Sequence, residues 1–164
     1  MAASDFFLVI DTIKGETEDS VMKAKGAMHI ESFSWGLSNA GTMHNAGGGG
    51  KGKSAFQDIH FVKNVDKASP AIALKCANGD HIAKAVLTVR KAGKEQKDYY
   101  IVTLEDVLVS SFQAGASAHG DATVSDQFSL NFAKIKWEYK VQDVKGTMTA
   151  GGEFAYDIKQ NKAS

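Results

Sequence analysis

Residues 47–63 read Gly-Gly-Gly-Gly-Lys-Gly-Lys-Ser-Ala-Phe-Gln-Asp-Ile-His-Phe-Val-Lys, and the fold turns on how they are read. The first eight satisfy the nucleotide-binding pattern G-x-x-x-x-G-K-[ST], which would set Lys53 on phosphate and Ser54 on magnesium. Such a loop needs a buried strand before its glycines and a helix after them, so that backbone N–H groups and the helix's positive end converge on the anion. Upstream, residues 39–46 are loop chemistry without a hydrophobic run. Downstream, Ile59 and Phe61 flank His60 in the alternation of a strand. The look-alike for a magnesium-side carboxylate, Asp11 at the end of Phe7-Leu8-Val9-Ile10, precedes the glycines where the usual order places it after them. The stretch therefore reads as a long glycine-rich connection between two strands.

The same alternation recurs on both sides of this connection. Phe6 to Asp11 is a strand apolar on both faces, hence central in a sheet. Met28 to Leu37 is a second strand with a phase change, since Met28 and Ile30 share one parity and Phe33, Trp35 and Leu37 the other. A bulge near Glu31–Ser32 accounts for it and leaves Ser32, Ser34 and Gly36 as a small polar face. Ser54 to Lys63 is the third strand. Ser69-Pro70 reads as an N-cap followed by proline in the first turn of a helix that stops at Asn78-Gly79. So short a helix must pack on a sheet.

Strands follow at about Ile82–Lys91 and Asp98–Ser111, and then over 128–141 with a phase shift near Ala133. In the first of these, Lys84, Thr88 and Arg90 oppose the apolar side. A loop over Asp143–Gly152 leads to a last strand at Phe154–Ile158. The fold class is mainly β, an antiparallel β-barrel or sandwich with one short α-helix and a long glycine-rich loop, and residues 1–164 form a single domain.

Composition narrows function further. Nineteen basic and nineteen acidic residues cancel, which gives no support to a nucleic-acid footprint. No apolar stretch is long enough to span a bilayer, and the N-terminus lacks the features of a signal peptide. The single Cys76 excludes an internal disulfide framework and fits a reducing compartment of synthesis. The histidines and Cys76 show no metal-ligand spacing, and His29 and His60 read as strand residues at a surface or interface. Glu18-Asp19 reads as a solvated pair in a polar turn. Trp35 and Trp137 lie on the apolar parity of their strands, where core packing is favoured over a stacking platform for a small ligand. No catalytic constellation, metal or cofactor is expected.

Several strings in order carry a likeness to a known family. They are Ser32-Phe33-Ser34-Trp35-Gly36, the glycine loop entering Phe56-Gln57-Asp58-Ile59, Val65-Asp66-Lys67-Ala68-Ser69-Pro70, Val107-Leu108-Val109-Ser110-Ser111, and Leu130-Asn131-Phe132-Ala133-Lys134-Ile135. Over essentially its whole length the chain resembles the haemolysin-coregulated protein (Hcp) family, the tube subunits of bacterial type VI secretion. The resemblance implies a non-enzymatic protomer that assembles with copies of itself into hexameric rings and stacks them into a tube. It implies partners in the sheath, spike and baseplate, effector proteins held non-covalently in the lumen, and passage from the cytoplasm to the outside without a signal peptide. It places Ser34 at a lumen-facing position, and strand parity sets Ser32 on the same face. It matches residues 41–53, with Met43, His44, Lys51 and Lys53, to an extended loop reaching a neighbouring ring. Tyr156 stands where many relatives carry tryptophan. The competing expectation is a soluble β-barrel that binds a small ligand near Trp35 or Trp137.

Overall fold

The computed structural model describes residues 4–41, 53–93, 95–120 and 123–164. Its strands are β1 (Ser4–Ile10), β2 (Met28–Ile30), β3 (Ser32–Ser34), β4 (Leu37–Asn39), β5 (Ser54–Phe56), β6 (Ile59–Asn64), β7 (His81–Lys91), β8 (Asp98–Gly115), β9 (Ser125–Gln142), β10 (Met148–Asp157) and β11 (Lys162–Ala163). One α-helix, α1, spans Ser69–Asn78. All pairings are antiparallel, and they can be followed from β1 to β2, across Glu31 to β3, then β6, β9, β8, β7 and back to β1. The backbone N–H of Glu31 donates to the carbonyl of Val62 at 2.8 Å, which keeps the ladder hydrogen-bonded at the handover. The architecture is the expected antiparallel β-barrel or sandwich.

β8 and β9, 18 residues each, form the spine. Both change the face they bury halfway along. On β8 the buried set passes from Val102 and Leu104 to Val107 and Val109; on β9 it passes from Phe128, Leu130 and Phe132 to Ala133 and Ile135. Asp106 sits at the break with φ of 53°, in the left-handed region that strands avoid. The shift expected at Ala133 is thus shared by two paired strands, because the spine serves two partners in turn. β6 pairs with β9 over 125–130, and β10 pairs with it over 134–142.

Four expectations need correction. The strand over 28–37 is three short strands: its phase change at Glu31 marks transfer from β1 to β6, and beyond Trp35 the chain leaves to pair β4 with β5. The strand over 54–63 breaks likewise at Gln57–Asp58 into β5 and β6. The loop over 143–152 shrinks to a turn in which the Asp143 carboxylate accepts from the N–H groups of Lys145 and Thr147, and β10 already begins at Met148. Ser69 is not a capping side chain. It opens the helix, and its hydroxyl turns inward to the buried ammonium of Lys63 at 2.8 Å.

That ammonium is fully buried. It also donates to Asp126 Oδ2 at 3.0 Å, Asp66 Oδ1 at 2.8 Å and the carbonyl of Asn64 at 3.2 Å, while Ser69 Oγ donates to Asp126. A charge removed from water is tolerable only when paired and hydrogen-bonded in this way. The cluster ties β6, β9 and the start of α1 together. At its other end α1 stops on Gly79 in the left-handed conformation, as expected.

β1 is central, as read: Leu8 and Ile10 enter the main core, and Phe7 packs with Met22 and Ala27 in a second cluster. That second layer alters two further expectations. Thr88 and Arg90, read as an outer side of their strand, are both buried. The Arg90 guanidinium meets Asp98 at 2.8 Å and Asp19 at 3.3 Å, and donates to the carbonyl of Gln96 at 2.8 Å. Glu18-Asp19 is therefore not a solvated pair: Glu18 faces water beside Lys23, whereas Asp19 is half-buried against Arg90. Burial alone would raise the Asp19 carboxyl, but the N–H groups of Met22 and Val21 and the charge of Arg90 hold it below its ordinary value.

Candidate functional site

Four phenylalanines occupy one register line across β3, β6, β9 and β8. Phe33 pairs with Phe61, Phe61 with Phe128, and Phe128 with Phe112. Phe61 and Phe128 are fully buried and stack at 5.3 Å. Because neighbouring strand residues point to opposite faces, this row forces the residues on either side of it outward. Two polar lines result. Ser34, His60, Ser129 and Ser111 form one; Ser32, Val62, Gln127 and Gln113 form the other. Ser32, Ser34, Gln127, Ser111 and Gln113 are exposed, and His60, Val62 and Ser129 are half-buried.

The first line is laced together and extended on its outer side. His60 Nδ1 lies 3.3 Å from Ser129 Oγ, which accepts from Ser111 Oγ at 2.9 Å. The register of β8 slips between Val109 and Ser111, and the extra residue, Ser110, donates to Asp58 Oδ2 at 2.6 Å. Asn131 Nδ2 donates to the other oxygen, Oδ1, at 2.8 Å. The outcome is a surface of hydroxyl, amide and imidazole groups over an aromatic floor. It can hydrogen-bond to a large passenger; among the described residues it brings together no nucleophile–base–acid set, and no three His, Cys, Asp or Glu side chains gather as a metal site.

Ser32 and Ser34 thus share the small polar face that parity predicted, together with His60. Sequence reasoning did not single out Asp58, Ser110, Ser111, Gln113, Gln127, Ser129 or Asn131 as members of that face. The alternation of Gln127, Ser129 and Asn131 with Phe128 and Leu130 was visible, but the register that aligns all seven with Ser34 comes from pairing between distant segments.

The base of the 41–53 loop is a separate two-stranded ribbon. Leu37 pairs with Phe56 and Asn39 with Ser54, and the N–H of Gln57 donates to the carbonyl of Gly36 at 2.9 Å. Ser54, which a phosphate loop would place at a helix start, opens a strand instead. The ribbon is anchored through Phe56, whose ring lies 5.2 Å from that of Tyr156 and 6.4 Å from those of Phe132 and Phe154. Lys53 is exposed just before β5. Met43, His44 and Lys51 lie outside the described residues.

The two tryptophans meet edge to face at 5.5 Å, partly buried against the core. Trp35 Nε1 donates to the Tyr100 hydroxyl at 2.8 Å. Burial pushes the Tyr100 phenol up, partly offset by that hydrogen bond. Trp137 also lines an open depression of about 290 Å³ with Tyr139, Gly152, Glu153 and Phe154.

Comparison with known proteins gives a consistent result. Residues 7–139 match the family described as type VI secretion system effector, Hcp. The chain is 39% identical over 163 residues to Protein hcp1 of Pseudomonas aeruginosa, covering 97% of this chain and 98% of that protein. A solved structure described as a type six secretion system protein matches with a TM-score of 0.91 at 24% identity, covering 99% of this chain and 100% of the other. The crystal structure of Hcp1 from Salmonella typhimurium matches with a TM-score of 0.76 at 30% identity over 100% of both chains.

Proposed function

We propose, from the premise that this chain belongs to the Hcp family of type VI secretion tube subunits, that it acts as one 164-residue unit, assembles into hexameric rings and turns the Ser34 face toward the lumen. The observation that carries the reading is that face. Four strands present a run of hydroxyl, amide and imidazole groups, broken at Val62, with Ser32 and Ser34 at its edge. Repeated around a ring, it makes a wall that hydrogen-bonds to a passenger. A head-to-tail interface whose rotation closes yields such a ring, and stacking the rings yields a tube.

The ribbon of β4 and β5 supports a loop over 41–53 that reaches the next ring, with Met43, His44, Lys51 and Lys53 as its contacts. In this reading the tube is driven out by a contracting sheath, capped by a spike and built on a baseplate, and it carries effector proteins non-covalently. The role is structural, with no reaction and no cofactor. The protein is made in the cytoplasm and released outside the cell; among the described residues no helix is long and apolar enough to cross a membrane. The small-ligand alternative draws less support, since Trp35 is already engaged with Tyr100 and Trp137.

Electron micrographs of the purified full chain test the assembly: rings are expected, and persistent monomers would end the proposal. Ser34→Arg tests the lumen assignment. Rings should survive while co-purified effector is lost; broken rings or undiminished retention would count against it.

A further inference from the structure

We infer that the Ser34 face prefers cationic polypeptide surfaces, with Asp58 and Glu31 supplying the charge that sets this preference. The inference rests on the reading of that face as the one that meets cargo. It starts from the charged groups each strand contributes. β6 offers one ionic side chain beyond His60's imidazole: Lys63, which points inward, its charge absorbed by Asp126 and Asp66, while Asp58 lies just before the strand. β9 contributes Gln127, Ser129 and Asn131 outward, while its Asp126 is buried with Lys63. β8 contributes Ser110, Ser111 and Gln113, and β3 contributes Ser32 and Ser34. No lysine or arginine on these strand segments reaches the outward face.

Asp58 and Glu31 are the carboxylates left there. Both Asp58 oxygens accept from neutral donors, Ser110 Oγ and Asn131 Nδ2, which fix its direction and leave its charge uncancelled. Glu31, at the rim, accepts from Asn64 Nδ2 at 3.3 Å and lies 3.9 Å from His29 Nε2. The face is therefore hydroxyl-rich and net acidic on a chain whose formal charge is zero, so the excess of anion here is balanced elsewhere on the molecule. Single exposed charges act weakly, and salt screens them over about 8 Å at physiological strength. Copies of one carboxylate facing a common channel add their fields, which favours a passenger of opposite sign.

The test uses the full chain at neutral pH with two labelled 20-residue peptides of matched length, one rich in lysine and one in glutamate. Binding is read by fluorescence anisotropy at low and raised salt, and assembly by sedimentation. The lysine peptide should bind roughly tenfold more tightly at low salt, with the preference shrinking as salt rises. Asp58→Asn should cut the ratio about threefold. Gln127→Lys, an exposed site in the same line, should cut it at least as far, and it keeps the test decisive if Asp58→Asn disturbs folding. Equal binding of the two peptides by assembled rings, or a ratio unmoved by both substitutions, overturns this inference alone. A chain that sediments as a monomer removes the ring reading and this inference with it.

Discussion

β6 carries Lys63 on one side and His60 on the other, three residues apart, and the two are polar for opposite reasons. Lys63 is fully buried, with donors directed at Asp126, Asp66, Ser69 and the Asn64 carbonyl. His60 lies half-buried on an open face, in a hydroxyl network that has room for more partners. Inside the fold a polar group must be answered by fixed protein groups, so its neighbours are determined by the chain itself. Outside, water or a passenger can answer it, and the same residue types become a surface for use. The difference predicts where substitution harms stability and where it harms only function.

The largest effect should come from breaking the inner cluster. Lys63→Ala leaves Asp126 buried without its cation and is expected to cost about 3–5 kcal/mol, measured by urea unfolding. The pair Lys63→Met with Asp126→Leu should recover part of that loss, because it removes the two fully enclosed charges and leaves only Asp66, which is nearer to water, without its cation. Arg90→Met, at the second layer, should cost about 2 kcal/mol at neutral pH by loss of hydrogen bonds to charged groups. That cost should fall in acid. Asp19 is held below its ordinary value, so its contribution is present above the unfolded carboxyl pKa of about 3.9 and lost as pH falls through the folded value. Denaturation curves of both proteins at neutral and strongly acid pH check this; a gap that widens in acid would contradict it.

Trp35→Phe, at the boundary between core and ribbon, removes one hydrogen bond to Tyr100 and should cost about 1 kcal/mol in thermal melts. Ser34→Ala, on the open face, should change stability by no more than about 0.5 kcal/mol. A larger loss at Ser34 than at Trp35 would erase the distinction between the two sides.

Much of the fold was legible where alternation is local. The parity of Met28, Ile30 and Phe33 located the phase change at Glu31, and Ala133 marked the shift in β9, because side-chain direction in a strand follows from sequence spacing alone. What misled was continuity. Residues 28–37 look like one strand because each piece alternates, yet they pair in turn with β1, β6 and β5, and a change of partner leaves little trace in propensity. Asp19 and Arg90 were misplaced for a related reason: nothing near either in sequence announces the other, 71 positions away. For the candidate site, Ser32 and Ser34 were readable from parity, whereas Asp58 and Ser129 join them only through strand register.

Local order alone established that this is a strand-built chain, that its glycine-rich string leads into a strand where a phosphate loop would lead into a helix, which positions flank its phenylalanines, and which family it resembles. The tertiary structure decided which strands meet, and therefore that Lys63 is enclosed and that four separate polar segments align into one surface. The physical reason is that alternation is a property of consecutive residues, while register and burial depend on segments brought together across the whole chain.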